Sequence, residues 1–366
     1  TGRTFDGIYD GNGFRIKNFV FEDTTRKYYG LFGLLSESAV IKNLTLDKSC
    51  SVTACTYVGG LVSRAAGATL INCTSYATVY AAGSAGEIPY PRVGGLAAEG
   101  HTFINCANYG SVKANPDSSG FSSPGGYGAG GIACIARVMI GCANYGSVVA
   151  GGQAGGVVGE ISCYGSTEEK PVGVMVGCGN YGTVEAREWA GGLAGDAEGI
   201  IEDCYNLGTV KVERTQAGGL VGRNETSGTI DHSTSRAMVS GAYATGGIVG
   251  YNLGVITGCT NVGAVNSEYQ ESALDMEGLP ATLLELVKKD MGDDLSNNIS
   301  NVSSDTGGIA GRSDSSIRLS WAKCALSGED YVGGIAGYGK TISDCRSLVT
   351  VDGGAVAHPQ NVIAPI

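Results

Sequence analysis

Gly191-Gly192-Leu193-Ala194-Gly195, then Ile201-Glu202-Asp203-Cys204-Tyr205-Asn206-Leu207-Gly208-Thr209-Val210, then Gly218-Gly219-Leu220-Val221-Gly222 make up one unit of a repeat and the start of the next. The double glycine with its aliphatic tail returns at Gly59-Gly60-Leu61-Val62, Gly94-Gly95-Leu96-Ala97, Gly130-Gly131-Ile132-Ala133, Gly155-Gly156-Val157-Val158, Gly246-Gly247-Ile248-Val249, Gly307-Gly308-Ile309-Ala310 and Gly333-Gly334-Ile335-Ala336. Gly30-Leu31-Phe32-Gly33 is a degenerate first copy. The second block, aliphatic-x-x-Cys-x-Asn-x-Gly-x-Val, recurs over 103–112, 139–148, 175–184 and 256–265, with looser copies from Leu70, Ile230, Ile317 and Ile342. Double glycines at 130 and 155, 191 and 218, 218 and 246, and 307 and 333 set a period of about 26 residues.

A unit this short and glycine-rich is unsuited to a helical hairpin but fits one coil of two or three short strands joined by turns. One coil cannot bury its own apolar face, whereas coils stacked in register pair each strand with its copies and place Leu on Leu and Val on Val. The expected fold is therefore all-β: a single-stranded parallel β-helix, or solenoid, of about ten coils, right-handed by the general preference of parallel crossovers. Residues 1–352 form the repeat domain, and 353–366, with Pro359 and Pro365, read as a tail or cap. Longer spacings come from insertions near 83–92, 113–127, 162–173 and 268–303. The last carries apolar residues at helical spacing over 279–291, with Pro280 where a first helical turn tolerates it, so a short helix is expected there.

Composition narrows the function classes. A net charge of −11, from 24 Lys and Arg against 35 Asp and Glu, offers no basic stripe for nucleic acid. No apolar run reaches the roughly 18 residues that a spanning helix needs. Thr1-Gly2-Arg3-Thr4-Phe5 lacks the charged-then-apolar pattern of a signal peptide.

The repeated copies resemble the GLUG motif, a short repeat named for its Gly-Leu-x-Gly core and found in large exported bacterial proteins, among them adhesin-like surface proteins and some immunoglobulin A proteases. The opening Phe5-Asp6-Gly7-Ile8-Tyr9-Asp10-Gly11-Asn12-Gly13 fits the same resemblance, which covers nearly the whole chain. It implies an extracellular or cell-surface location and a scaffold that binds host protein or carbohydrate. It implies no catalytic centre, since the motif marks a framework.

Seven of twelve cysteines (Cys73, Cys106, Cys142, Cys178, Cys204, Cys259 and Cys345) share one repeat position, and Ser233 and Ser320 occupy it in two other copies. Side-by-side Cβ vectors suit disulfides poorly, and replacement by Ser suits a small buried residue, so an inward column of free thiols is expected. Whether Cys50 and Cys55 pair stays open. His101, His232 and His358 form no His-Glu-x-x-His pattern, so neither a metal nor any other cofactor is expected. Asn108, Asn144, Asn180, Asn206 and Asn261 read as a stacked amide ladder. Tyr109, Tyr145 and Tyr181 recur beside them and are the candidate ligand-binding residues, against the plainer reading of a turn-covering stack. The catalytic alternative is a polysaccharide-active β-helix, lyase or hydrolase, with Asp196, Glu198, Asp203 and Arg223 meeting on adjacent coils. Asp290, Asp293 and Asp294 read as solvated residues at a helix end. The leading expectation is a non-enzymatic scaffold.

Overall fold

The computed structural model describes residues 4–65, 67–83, 91–115, 128–162, 173–267, 305–328 and 331–352. These residues wind through eleven coils, spanning 4–22, 28–54, 57–81, 92–114, 128–150, 153–186, 189–212, 216–241, 245–267, 306–327 and 332–352. A full coil carries five short strands; in the seventh they are Trp189–Gly191, Ala194–Ala197, Gly199–Glu202, Tyr205–Asn206 and Val210–Val212. Each pairs in parallel with its equivalents above and below: Ala190 with Ala154 and Ala217, Ile201 with Met175 and Ile230, Val210 with Val184 and Val239. Sheets of ten, twenty, eleven and eleven strands run down the stack. The architecture is the parallel β-helix expected from the repeat. Its coils hold more strands than the two or three expected, because the double glycine and the residue before the cysteine each break the chain direction.

The stack is continuous across the insertions. Arg92 pairs with Tyr57 and Gly128, Val138 with Val174, and Thr245 with Thr306. The helix expected within 268–303, the acids Asp290, Asp293 and Asp294, and the tail from 353 lie outside the described residues. Among the described residues there is no helix, and so none long and apolar enough to cross a membrane.

Columns of identical character fill the interior. Leu61, Leu96, Ile132, Val157, Leu193, Leu220, Ile248, Ile309 and Ile335 are all buried, as are Leu70, Phe103, Met139, Met175, Ile201, Ile230, Ile256 and Ile317. The thiol column joins them: Cys73, Cys106, Cys142, Cys178, Cys204 and Cys259 are buried and free, and Cys50 and Cys55 are free as well. Cys259, which lies between the serine-bearing coils, has its thiol pushed up to about 12 by burial. It therefore stays protonated and behaves as a small apolar group.

The residue before the thiol-column position, Cys or the Ser that replaces it, turns the corner with left-handed backbone. Asn72 and Asn105 have φ 52°, Gly141 and Gly177 φ 61°, Asp203 φ 52°, His232 φ 43°, Leu319 φ 52° and Asp344 φ 54°. Asn, Asp and Gly accept this conformation at small cost, and Leu does not.

Buried amides brace the coils at the adjoining strand. Asn108, Asn144 and Asn180 each donate Nδ2–H to the Oδ1 of the next Asn down the stack at 2.9 Å and to a carbonyl of their own coil (Gly110, Gly146, Gly182) at 2.9 Å. The same glycines return N–H to Oδ1 at 3.2 Å. Both donors and both acceptor sites of Asn144 and Asn180 are thus engaged, which lets a polar side chain sit without solvent. The ladder ends where Ser235 follows Asn206; Asn206 donates instead to the Gly219 carbonyl at 2.7 Å.

Candidate functional site

The double glycine is a re-entrant corner. A Cβ on Gly155 would overlap the Val158 carbonyl oxygen, and one on Gly156 would overlap the Asn180 side chain across the coil. The two sequence blocks therefore meet inside each coil, glycine against amide, and the backbone folds sharply enough to leave an outer crease. Two columns of side chains line that crease. One is the first residue of the strand before the glycines: Tyr57, Arg92, Gly128, Gln153, Trp189 and Gln216. Facing it across the fold is the third residue of the strand after them: Arg64, Glu99, Ile135, Glu160, Asp196, Arg223, Tyr251, Arg312 and Tyr338.

Toward both ends the crease is filled by ion pairs. In coils three and four Glu99 pairs with Arg64 at 2.6 Å and with Arg92, and both guanidiniums lie over the Tyr57 ring, 5.7 and 5.2 Å from its centroid. In the last three coils Arg312 approaches Asp305 and Asp314 and lies 4.5 Å over the Tyr338 ring, while Tyr251 donates its hydroxyl to Asp314 at 2.6 Å.

The middle differs. Glu160 and Asp196 are register partners on adjacent coils, only 4% and 5% exposed. Asp196 is in register on its other side with Arg223, whose Nε lies 2.6 Å from Glu225. Burial pushes the Asp196 carboxyl well above the usual range, reinforced by Glu225 and Glu160 and opposed by Arg223. Glu160 is raised by burial and by Glu198, with Ser162 and Arg92 working the other way. Glu160 Oε2, Ser162 Oγ, Trp189 Nε1, Asp196 Oδ1, Gln216 Oε1 and Arg223 Nε are buried without a hydrogen-bond partner. Buried polar atoms in folded proteins are overwhelmingly partnered, so this run of them sets the middle stretch of the crease apart.

Of the acids and base singled out from sequence, the fold brings together Asp196, Glu198 and Arg223. Asp203 is the left-handed corner residue of its coil and sits in another column. Sequence reasoning missed Glu160, Glu225, Trp189 and Gln216. The alignment of double glycines carried the signal, since Glu160 and Asp196 both stand four residues after the second glycine.

Tyr109, Tyr145 and Tyr181 do form one column, and Tyr76 extends it. Successive ring centroids are 4.7, 4.5 and 4.6 Å apart with planes within 11°. Tyr205 closes one end edge-on, its hydroxyl 2.8 Å from that of Tyr181, and the Arg15 guanidinium lies 5.5 Å from the Tyr76 ring at the other. The three rings are 43%, 42% and 39% exposed. Their faces are used against one another, so edges and hydroxyls meet solvent.

Among the described residues no group of three or more His, Cys, Asp or Glu side chains is placed to hold a metal ion. His101, in the fourth coil, contacts Arg137, and His232, in the eighth, contacts Asp231; His358 lies outside the described residues. Comparison with protein-family models, with curated proteins and with solved structures finds no match to this chain.

Proposed function

We propose that this chain is a non-enzymatic repeat scaffold of an exported bacterial protein, GLUG-like and adhesin-like, displayed at the cell surface or secreted, and that it binds a host protein or glycan. The tyrosine column supports this reading. Four stacked rings hold a straight strip of aromatic edges and hydroxyls on a rigid wall, and tyrosine strips of this kind give large contact area for little conformational entropy. The thiol, amide and glycine columns are consumed in holding the coil, which leaves the strip as the repeated feature directed at solvent. The test is binding of the chain to arrays of glycans and host surface proteins, repeated with Tyr109, Tyr145 and Tyr181 all replaced by Ala. Binding that falls about tenfold or more supports the strip, and a triple variant that binds like the parent overturns it.

A second reading, a polysaccharide-active β-helix, is favoured by one observation: Asp196, Glu198 and Arg223 converge with Glu160 in the crease. Release of product from acidic polysaccharides, assayed with and without Ca²⁺ and lost in Asp196→Asn, would support it. No product under either condition ends it.

A further inference from the structure

The walls of the solenoid differ in what they show to solvent. On the last strand of each coil the outward column reads Lys113, Val149, Glu185, Lys211 and Ser240, four polar residues in five. The third strand is different. There Leu70, Phe103, Met139, Met175 and Ile201 point inward and are buried, so the residues on either side of each point outward. From coil two to coil seven the first outward column is Val40, Thr69, Thr102, Val138, Val174 and Ile200. The second is Lys42, Ile71, Ile104, Ile140, Val176 and Glu202. Ile140 and Ile200 are 43% and 37% exposed, and the other apolar members of the two columns are half-buried. Single exposed apolar side chains are ordinary on a folded protein, whereas a contiguous strip two residues wide marks a surface that meets another surface.

The order of the second column says what covers the strip. A base, four aliphatic residues and an acid follow one another, so the strip complements itself when a copy is turned about an axis parallel to the strands, midway between Ile104 and Ile140. Coil two then faces coil seven: Lys42 lies opposite Glu202, Ile71 opposite Val176 and Ile104 opposite Ile140, each pair occurring twice. In the first column Val40 meets Ile200, Thr69 meets Val174 and Thr102 meets Val138. Turning the copy about the stack axis instead would set Lys42 against Val40 and Glu202 against Ile200, which pairs no charge. We propose that this face is a docking surface for a second copy of the chain, packed face to face with the two stacks antiparallel. Lys42 already lies 3.2 Å from Asp10, and its three ammonium hydrogens serve both that carboxylate and the partner's Glu202. One coil further out Asp10 faces Asp231, each engaged within its own copy, Asp10 by Lys42 and Asp231 by His232 at 2.7 Å. At about 4.8 Å per coil the strip is about 24 Å long, a small interface suited to reversible association in the micromolar range. The tyrosine column stands beyond the left-handed corner, on the next strand, and is no part of this face.

The experiment is sedimentation velocity of the whole chain from about 1 to about 200 µM, a range that brackets micromolar association. A reversible monomer–dimer equilibrium is expected. Ile140→Glu places two carboxylates beside the axis without partners and should weaken the dimer about a hundredfold, while the exposed position lets the chain keep its β spectrum. Lys42→Glu and Glu202→Lys each set like charges opposite one another and should weaken self-association about tenfold. Mixed in equal amounts, those two variants should associate as tightly as the parent does with itself, because each then presents the charge the other lacks. That rescue belongs to the antiparallel arrangement and to no other. Should Lys42→Glu fail to fold for want of the Asp10 bond, Ile140→Glu and Glu202→Lys still test the face. A monomer throughout the range, an undiminished dimer in Ile140→Glu or in Glu202→Lys, or no association between the two folded charge variants would each overturn the proposal, the first by leaving the strip to a partner of another kind. The tyrosine triple variant should dimerise as the parent does, which separates failure of this face from failure of the tyrosine column.

Discussion

The crease in the last three coils and the crease in coils six to eight occupy the same positions of the same repeat, yet one is a closed electrostatic network and the other leaves buried polar atoms without partners. Arg312 lies between Tyr251 and Tyr338, 5.9 and 4.5 Å from their centroids, with Asp305 and Asp314 in reach and Lys340 3.1 Å from Asp314. Acids and bases alternate there, and burial with the bond to Asp314 holds the Tyr251 hydroxyl protonated, its pKa pushed up to about 12. In the middle coils acid follows acid down the register, and buried polar atoms of Glu160, Ser162, Trp189, Asp196, Gln216 and Arg223 have no hydrogen-bond partner. A repeat fixes backbone and core column by column but leaves crease positions free to vary. Charge balance at those positions then separates a network that satisfies itself from one that leaves polar atoms stranded.

The largest way to break this contrast is to open the closed end. Arg312→Met keeps the stem over the Tyr338 ring but leaves the buried Asp305 and half-buried Asp314 without that base. A loss of about 3 kcal/mol is expected, read from the urea midpoint at constant slope, because removing one partner of a buried charge network strands the others. Asp196→Asn should move the other way, stabilising the unliganded chain by about 1–2 kcal/mol through relief of a buried carboxylate facing Glu160. A loss of stability in Asp196→Asn, or none in Arg312→Met, would mean that the two regions do not differ as the geometry says.

The same contrast fixes opposite responses to pH. Asp196 and Glu160 have folded values raised above the unfolded ones. Between those two values the folded state binds more protons, so their contribution is least favourable at neutral pH and improves as pH falls toward the unfolded carboxylate range near 4. Asp314 is the reverse. Burial works against its charge, but the Tyr251 hydroxyl, Lys340 and Arg312 hold it below the ordinary value. Its stabilisation is present above the unfolded value and lost as pH falls through the folded one. Thermal melts of the parent and Asp196→Asn between pH 7 and 4.5 should converge as pH falls, whereas those of the parent and Arg312→Met should keep their separation over that range. Melts of Asp196→Asn that stay parallel to the parent would show that this carboxyl is not raised.

What the sequence disclosed and what it hid follow the same division. Gly-Gly-aliphatic and Cys-x-Asn-x-Gly recur because every coil needs them, so the fold, the thiol column and the amide ladder could be read from period alone. The crease pair could not, since the column Arg64, Glu99, Ile135, Glu160, Asp196, Arg223 and Tyr251 follows no residue type, and only register places Glu160 and Asp196 side by side. Asp203 was grouped with the acids although its column, Asn72, Asn105, Gly141, Gly177 and Asp203, carries the Asn, Gly and Asp signature of left-handed backbone. Tyr76 was missed because its copy of the second block has Ser75 in place of Asn, although the register sets it directly beside Tyr109.

That corner column supplies the smallest prediction and a control for the comparison. Leu319 holds φ 52° with its side chain exposed, a conformation that costs a branched residue about 1 kcal/mol more than it costs Asn. Leu319→Asn restores the residue type found at Asn72 and Asn105, touches neither stretch of crease, and should stabilise the fold by about 1 kcal/mol. Because no titrating group changes, the gain should be the same at pH 7 and pH 4.5. It should also add to the loss in Arg312→Met and to the gain in Asp196→Asn, as independent sites do. A gain that varies with pH, or that disappears in either double variant, would show that the corner and the crease are coupled through the coil, and the opposite pH responses of the two crease regions would then have to be measured relative to that coupling.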